Sequence, residues 1–127
     1  MRVLDVGCGD GRDSIWLAEL GHAVLGYDSA AGMVDKAKTR AMEADVDPGS
    51  FLQGTEVTAA DDHGAGTFDL VLSHGVIMYR QDADAFVQRH VDLVRTDGWF
   101  SLIAKNFDGL PYRAAQEQSY RDALNAL

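Results

Sequence analysis

The residues best suited to chemistry lie near the start of the chain, where carboxylates accompany three regularly spaced glycines. Gly7, Gly9 and Gly11 stand at alternate positions. Asp5 lies in the apolar run just before them, and Asp10 lies between the last two. Glycine accepts a positive φ and lets a ligand approach the main chain closely. Because carboxylates repel a pyrophosphate and attract an ammonium or sulfonium centre, the pattern predicts a site for a cofactor that carries positive charge.

These residues require a strand, a tight loop and a helix to hold them. The apolar run from Val3 to Val6 predicts a buried strand, and helical spacing of apolar residues follows from Ser14 to Leu20. Such a unit forms a pocket at the carboxyl end of the strand. The dinucleotide fingerprint is G-x-G-x-x-G, whereas this chain has G-x-G-x-G. The spacing therefore disfavours a nicotinamide cofactor.

A third carboxylate, Asp28, ends a second apolar run at 23–27. It follows Asp5 by about the length of one βαβ unit, and an acid at this point hydrogen-bonds the ribose of an adenosine. The two oxygens of a carboxylate suit two vicinal hydroxyls. The alternative is structural, since Asp28 or Ser29 could cap the helix that follows.

Three stretches of the chain resemble the class I S-adenosylmethionine-dependent methyltransferases. Val3 to Gly11 is similar to that family's motif I, hydrophobic-Leu-Asp/Glu-x-Gly-x-Gly-x-Gly, and Phe68 to Val71 matches its FDLV motif. Asp28 to Ala37 is similar to its D-x-S-x-x-M-x-x-x-A pattern. The resemblance implies S-adenosyl-L-methionine as the cofactor, held by residues of loops and strand ends: Asp5, Gly7, Cys8, Gly9, Gly11, Asp28, Ser29, Met33, Thr55, Glu56 and His74.

Two of these assignments depend on the family's later strands. The residues after the third strand contact the adenine in the family, and many members carry an aspartate where this chain has Thr55. The contact therefore passes to Glu56 or to the main chain, with a plain loop as the alternative. His74 ends the fourth strand, where the family's residue lies against the adenosyl or methionine part of the cofactor. A purely structural histidine is the alternative, and a general-base role is less favoured.

The element order β-α-β-α-β-x-β-α-β predicts an α/β fold: a doubly wound, parallel five-stranded sheet of the Rossmann-like methyltransferase type. The segment 61–66 reads as a polar loop that exposes His63 to solvent. A turn at Asp97 and Gly98 precedes a fifth strand at 99–104. Two helices, at 30–44 and 83–94, are predicted to turn these side chains inward: Met33, Ala37 and Ala41 from the first, and Phe86, Val87, His90, Val91 and Val94 from the second.

The chain is predicted to be one domain, 1–127, with core strands between 3 and 106 and a C-terminal helical segment at 110–126. The family normally has helices before motif I and two further strands at its end, so the sequence is expected to be truncated at both ends. Asn106 to Gly109 would open the segment where relatives contact their substrates. Within the family, residues 2–106 most resemble the bacterial tRNA 5-carboxymethoxyuridine methyltransferase group, for example at Glu19 to His22 and at Leu102 to Asn106.

Composition restricts the partners. The chain carries 20 acidic residues against 11 lysines and arginines, a net charge of −9. A nucleic-acid surface needs a basic stripe, so a small-molecule acceptor is favoured over tRNA. Sixteen of the acids are aspartate, which suits a salt-adapted source or a high-GC genome equally. Cys8 is the single cysteine, so no internal disulfide is possible and no metal site is predicted.

The predicted activity is methyl transfer from S-adenosylmethionine to an unidentified small-molecule or tRNA acceptor, with no catalytic residue assigned. A non-catalytic S-adenosylmethionine-binding or regulatory module is the alternative, and a nicotinamide-dependent oxidoreductase is less favoured. No stretch approaches the roughly 18 apolar residues of a membrane span, and no signal-peptide pattern is present. A cytoplasmic location is therefore expected.

Overall fold

Five parallel strands form one sheet with helices on both faces, and a computed structural model describes residues 1–105 of the chain. The strand order is β3-β2-β1-β4-β5, and every neighbouring pair is parallel. The predicted doubly wound α/β fold is confirmed. The elements are β1 (Arg2–Val6), α1 (Arg12–Glu19), β2 (Ala23–Asp28), α2 (Ala31–Glu43), β3 (Phe51–Gln53), α3 (Glu56–His63), β4 (Phe68–His74), α4 (Ala83–Leu93) and β5 (Val94–Ile103), with short 3-10 turns at Pro48–Ser50 and Ile77–Tyr79.

The alternation of side chains along β1 supplies both faces of the core. Leu4 and Val6 pack in one cluster with Ala59 of α3 and Leu93 of α4. Val3 packs on the opposite face, in a cluster that receives side chains of α1. A central parallel strand is buried on both faces, which explains why it reads in the sequence as a continuous apolar run.

One predicted helix face needs correction. In α2 the buried residues are Val34, Ala37 and Ala41, whereas Met33 is 39% exposed. Positions 34, 37 and 41 follow the three-to-four-residue spacing of one helical stripe, and position 33 lies about 100° away from residue 34 around the axis. Met33 therefore does not share the buried face of α2.

The first half of the segment predicted as a polar loop, 61–63, is helical, so the prediction was wrong there, whereas 64–66 lie outside the helix as predicted. Helix α3 starts at the N-cap Thr55, whose hydroxyl accepts a hydrogen bond from the Val57 N–H, and it runs to His63. His63 is only partly exposed, and its Nε2 lies 3.0 Å from the Tyr27 hydroxyl. The neighbouring acids lie on the solvent side of the helix, so the local composition resembles that of a loop.

The end of the sheet also departs from the sequence prediction. Helix α4 ends at Leu93, which is buried, whereas Val91 is 43% exposed. Strand β5 begins directly at Val94 and includes Asp97 and Gly98, which form an irregularity within the strand instead of a turn before it. A Cβ on Gly98 would come within 2.8 Å of the Asp69 carbonyl oxygen, so the main chain passes too closely there for a side chain.

The predicted segments 106–109 and 110–126 lie outside the described residues. Among the helices of residues 1–105, none combines the length and the apolar character needed to cross a bilayer.

Candidate functional site

Two adjoining cavities open at the carboxyl ends of β1, β2 and β4. The larger, of about 350 Å³, is lined by six of the predicted site residues: Gly7, Asp28, Ser29, Thr55, Glu56 and His74. The smaller, of about 280 Å³, is lined by Asp5, Cys8, Asp10, Arg12 and Asp13 and shares Gly7 and His74 with the first. The fold thus brings together residues that are spread over more than half of the chain.

The glycine loop is shaped by main-chain hydrogen bonds to the end of β2. The N–H groups of Gly7 and Cys8 both donate to the Tyr27 carbonyl oxygen, at 2.7 and 3.0 Å. Gly9 and Gly11 have φ values of 57° and 80°, a region that favours glycine. Gly11 is buried, and a Cβ there would lie 3.0 Å from the ring of Phe51. Gly9 and Gly11 shape the loop from outside the two cavity linings.

Asp28 fastens this loop to the start of α2. One carboxylate oxygen accepts the Gly9 N–H at 2.9 Å, and the other accepts the Ala30 N–H at 2.9 Å. Ala30 is the N-cap of α2, so the side chain does not cap the helix in the usual way. Each oxygen retains a further lone pair, so two ligand hydroxyls can still be accepted from the cavity side.

Asp5 is held from below by a residue that sequence reasoning did not identify. The Ser14 hydroxyl donates to the Asp5 carboxylate at 2.6 Å, and both side chains are buried. Burial raises the pKa of Asp5 above its ordinary value, against the lowering effect of the Ser14 hydrogen bond. The bond joins β1 to α1, so Asp5 is fixed beneath the loop.

Cys8 is packed as a small side chain. Burial, followed by the nearby charges of Asp5 and Asp28, raises the pKa of its thiol to about 12. The thiolate is the reactive form of cysteine, so this thiol is a poor nucleophile at neutral pH. Asp10 also lines the smaller cavity, and it forms an ion pair with Arg40 of α2 that offsets part of its charge.

Glu56 is the buried charge of the larger cavity. It is 2% exposed, and its carboxylate lies 2.9 Å from Arg89 Nη2 and 3.7 Å from Arg80 Nη2. Both arginines also bind Asp82, and their hydrogen bonds lower the pKa of that carboxyl below its ordinary value. Sequence reasoning missed both arginines, because no local spacing connects them with Glu56.

His74 stands between the two cavities. Its Nε2 lies 2.9 Å from the Ser101 hydroxyl of β5, and its Nδ1 lies 3.8 Å from a carboxylate oxygen of Asp13. Ser101 was also missed from the sequence, since only the pairing of β4 with β5 brings it close. Met33, by contrast, lies on the exposed side of α2, outside both cavity linings.

Comparison with known proteins gives the family. A methyltransferase domain model matches residues 4–100. The chain is 35% identical over 111 residues to the tRNA 5-carboxymethoxyuridine methyltransferase of Escherichia coli strain K12, covering 87% of this chain and 42% of that protein. It is 35% identical over 99 residues to the ubiquinone biosynthesis O-methyltransferase of Mesorhizobium japonicum, covering 77% of this chain and 38% of that protein.

A solved structure agrees. The YcgJ protein of Bacillus subtilis superposes with a TM-score of 0.70 at 26% identity, covering 80% of this chain and 42% of that one. The chain spans about two-fifths of the length of these relatives. The chain belongs to the methyltransferase domain family, within the class I enzymes that use S-adenosylmethionine as methyl donor.

Proposed function

We propose that this chain is the cofactor-binding core of an S-adenosylmethionine-dependent methyltransferase, which moves a methyl group to a small-molecule acceptor or a tRNA. The observation that carries the proposal is Asp28, which lines the larger cavity at the end of β2 with its carboxylate already oriented by Gly9 and Ala30. Its remaining acceptor positions match the two hydroxyls of a ribose, so the donor set fits the family's cofactor.

The two cavities divide the proposed contacts. The nucleoside would lie in the larger one, with its ribose at Asp28 and its adenine near Thr55 and Glu56. The amino-acid part would lie in the smaller one, where the Asp13 carboxylate suits an ammonium group. The glycine loop would form the floor between them, and further contacts would come from Asp5, Gly7, Cys8, Ser29 and His74. Gly9 and Gly11 would shape the loop from outside the linings, and Met33 is left out of the proposed contacts because it lies on the exposed side of α2.

The contribution of the protein to the reaction is positioning. When bound, the cofactor supplies a methyl group on a sulfonium sulfur, and the sulfur is the leaving group that keeps the electron pair of the carbon–sulfur bond. The rigid loop and Asp28 would hold that methyl group in line with an acceptor atom, which is where most of the rate enhancement arises. A carboxylate or thiolate acceptor needs no base, whereas a hydroxyl or an amine would require one, and His74 is the titratable group between the cavities.

The acceptor class is proposed from charge. The two relatives act, by their names, in tRNA modification and in ubiquinone biosynthesis. A net charge of −9 opposes binding to a polyanion, so a small molecule is the preferred acceptor and tRNA the alternative. A cytoplasmic location belongs to the same proposal.

The first test is calorimetric titration of the chain with S-adenosylhomocysteine, the demethylated product, at low and at high salt, with NADH as the control ligand. We expect micromolar affinity for S-adenosylhomocysteine and no heat from NADH. Binding of NADH alone would contradict the proposal and revive the oxidoreductase alternative. Binding of S-adenosylhomocysteine without methyl transfer to any offered acceptor would favour a non-catalytic module.

A further inference from the structure

Val76 lies beside the point where the two cavities of the site meet. Val76, in the segment after β4, packs on the main chain of Gly7 so closely that a Cβ at position 7 would overlap its Cγ2 methyl. Gly7 lines both cavities, whereas Val76 lines the larger one. Because Gly7 has no side chain, there is space above its main chain, and Val76 fills that space.

Val76 lies outside β4, between a glycine with a positive φ and a short 3-10 turn. Gly75 precedes it with a φ of 81°, and a Cβ at position 75 would meet nothing within 4 Å. The Gly75 N–H is anchored to the Ile103 carbonyl oxygen at 2.8 Å, so the strand end is fixed before the turn begins. A short 3-10 turn, Ile77–Tyr79, follows Val76. A glycine with free space around it absorbs dihedral changes at little cost.

This position matters because of the shape of the ligand. A molecule that carries both an adenosine and an amino-acid part must pass between Gly7 and His74, the two residues that both cavities share, to fill both cavities. A nucleoside without the amino-acid part fits the larger cavity alone and leaves the passage untouched. The polar contacts described above lie at the two ends of the site, and Val76 packs on Gly7 between them.

We propose that Val76 is a specificity-determining residue of the cofactor site, which closes the passage over Gly7 until a spanning ligand displaces it. This inference rests on the proposed function. The apparent dissociation constant of a spanning ligand is the intrinsic constant divided by the fraction of molecules in which the passage is open. A ligand confined to the larger cavity does not use the passage, so the ratio of the two ligands' dissociation constants isolates this factor.

The test compares two ligands on four forms of the full chain: wild type, Val76→Ala, Val76→Phe and Met78→Ala. S-adenosylhomocysteine spans both cavities, and 5′-methylthioadenosine lacks the amino-acid part. Val76→Ala should tighten S-adenosylhomocysteine by about fivefold, and Val76→Phe should weaken it by at least that factor, because the open fraction rises or falls. Because Val76 also lines the larger cavity, 5′-methylthioadenosine reports any change in the nucleoside contact itself. The ratio of the two dissociation constants, S-adenosylhomocysteine over 5′-methylthioadenosine, should therefore fall by about fivefold in Val76→Ala and rise in Val76→Phe.

Met78→Ala is the matched control, because Met78 lies in the same turn but outside both cavity linings. It should leave both affinities unchanged, and circular dichroism should verify that each variant is folded. Equal changes in both ligands on Val76→Ala, or no change in either, would overturn the role of Val76 while the proposed function stands. Absence of S-adenosylhomocysteine binding in wild type and all variants would overturn the proposed function and this inference with it.

Discussion

Asp28 combines a structural and a proposed ligand-binding task in one carboxylate. It joins the glycine loop to the start of α2 through the N–H groups of Gly9 and Ala30, and it faces the larger cavity. The sequence predicted the position of this acid because a carboxylate at the end of the second strand is a local pattern. The two main-chain donors that orient it became visible only in the folded loop.

Replacing Asp28 with Ala should weaken S-adenosylhomocysteine binding by at least about tenfold, because hydrogen bonds to a charged group contribute about 1.5–3 kcal/mol. The matched control is Asp47→Ala, since the Asp47 carboxylate likewise accepts an N–H two residues later, from Gly49, at 2.8 Å. The control should lower the free energy of unfolding by about 1 kcal/mol and leave affinity unchanged. Calorimetry and urea unfolding measure the two effects. Equal affinities in the two variants would remove Asp28 from the binding site.

At the level of elements, two segments were predicted wrongly because their local composition resembles that of loops and turns. The acids at the end of α3 lie on its exposed side, so their composition resembles a loop although the Thr55 cap starts a helix. In β5 the pair Asp97 and Gly98 has the composition of a turn, but Asp97 adopts a φ of 64° within a continuing strand. In β5 the local turn propensity is overridden by pairing with β4, which is distant in sequence.

Gly98→Ala should be destabilising because the new methyl group would meet Val94 Cγ1 at 2.6 Å and the Asp69 carbonyl oxygen at 2.8 Å. Overpacking of this kind costs about 1–3 kcal/mol. Gly32→Ala is the same substitution in α2, where a Cβ meets open space, and it should stabilise by up to about 1 kcal/mol. Urea denaturation of both variants checks the opposite signs. A neutral Gly98→Ala would mean that the irregularity in β5 relaxes freely.

For the whole molecule, the parallel sheet was predictable because its strands appear in the sequence as apolar runs bounded by polar residues. The site was predictable as far as it depends on strand ends, as with Gly7, Asp28 and His74. Ser14, Ser101, Arg80 and Arg89 were not, since their partners are brought close only by tertiary packing. Long-range pairing carries no local signature, which explains this division.

The net charge of −9 also acts on the whole molecule. Raising sodium chloride from about 0.1 to 1 M shortens the Debye length from about 10 to 3 Å, so repulsion among the acids should weaken and the melting temperature should rise. A variant with Asp35→Asn and Asp61→Asn, two exposed acids, should respond less. Differential scanning calorimetry checks the comparison. An equal response in both proteins would assign the salt effect to something other than surface repulsion.

The hydrogen bonds of Tyr27 affect the entropy change of ligand binding. Its carbonyl oxygen accepts two N–H groups of the glycine loop, while its hydroxyl donates to Asp62 at 2.8 Å near the end of α3. The loop is thereby ordered during folding, so its conformational entropy is lost before any ligand arrives. A preorganised loop subtracts little from the free energy of association. Within the proposed site, the entropy change on binding would then come mainly from the ligand and from the turn that carries Val76.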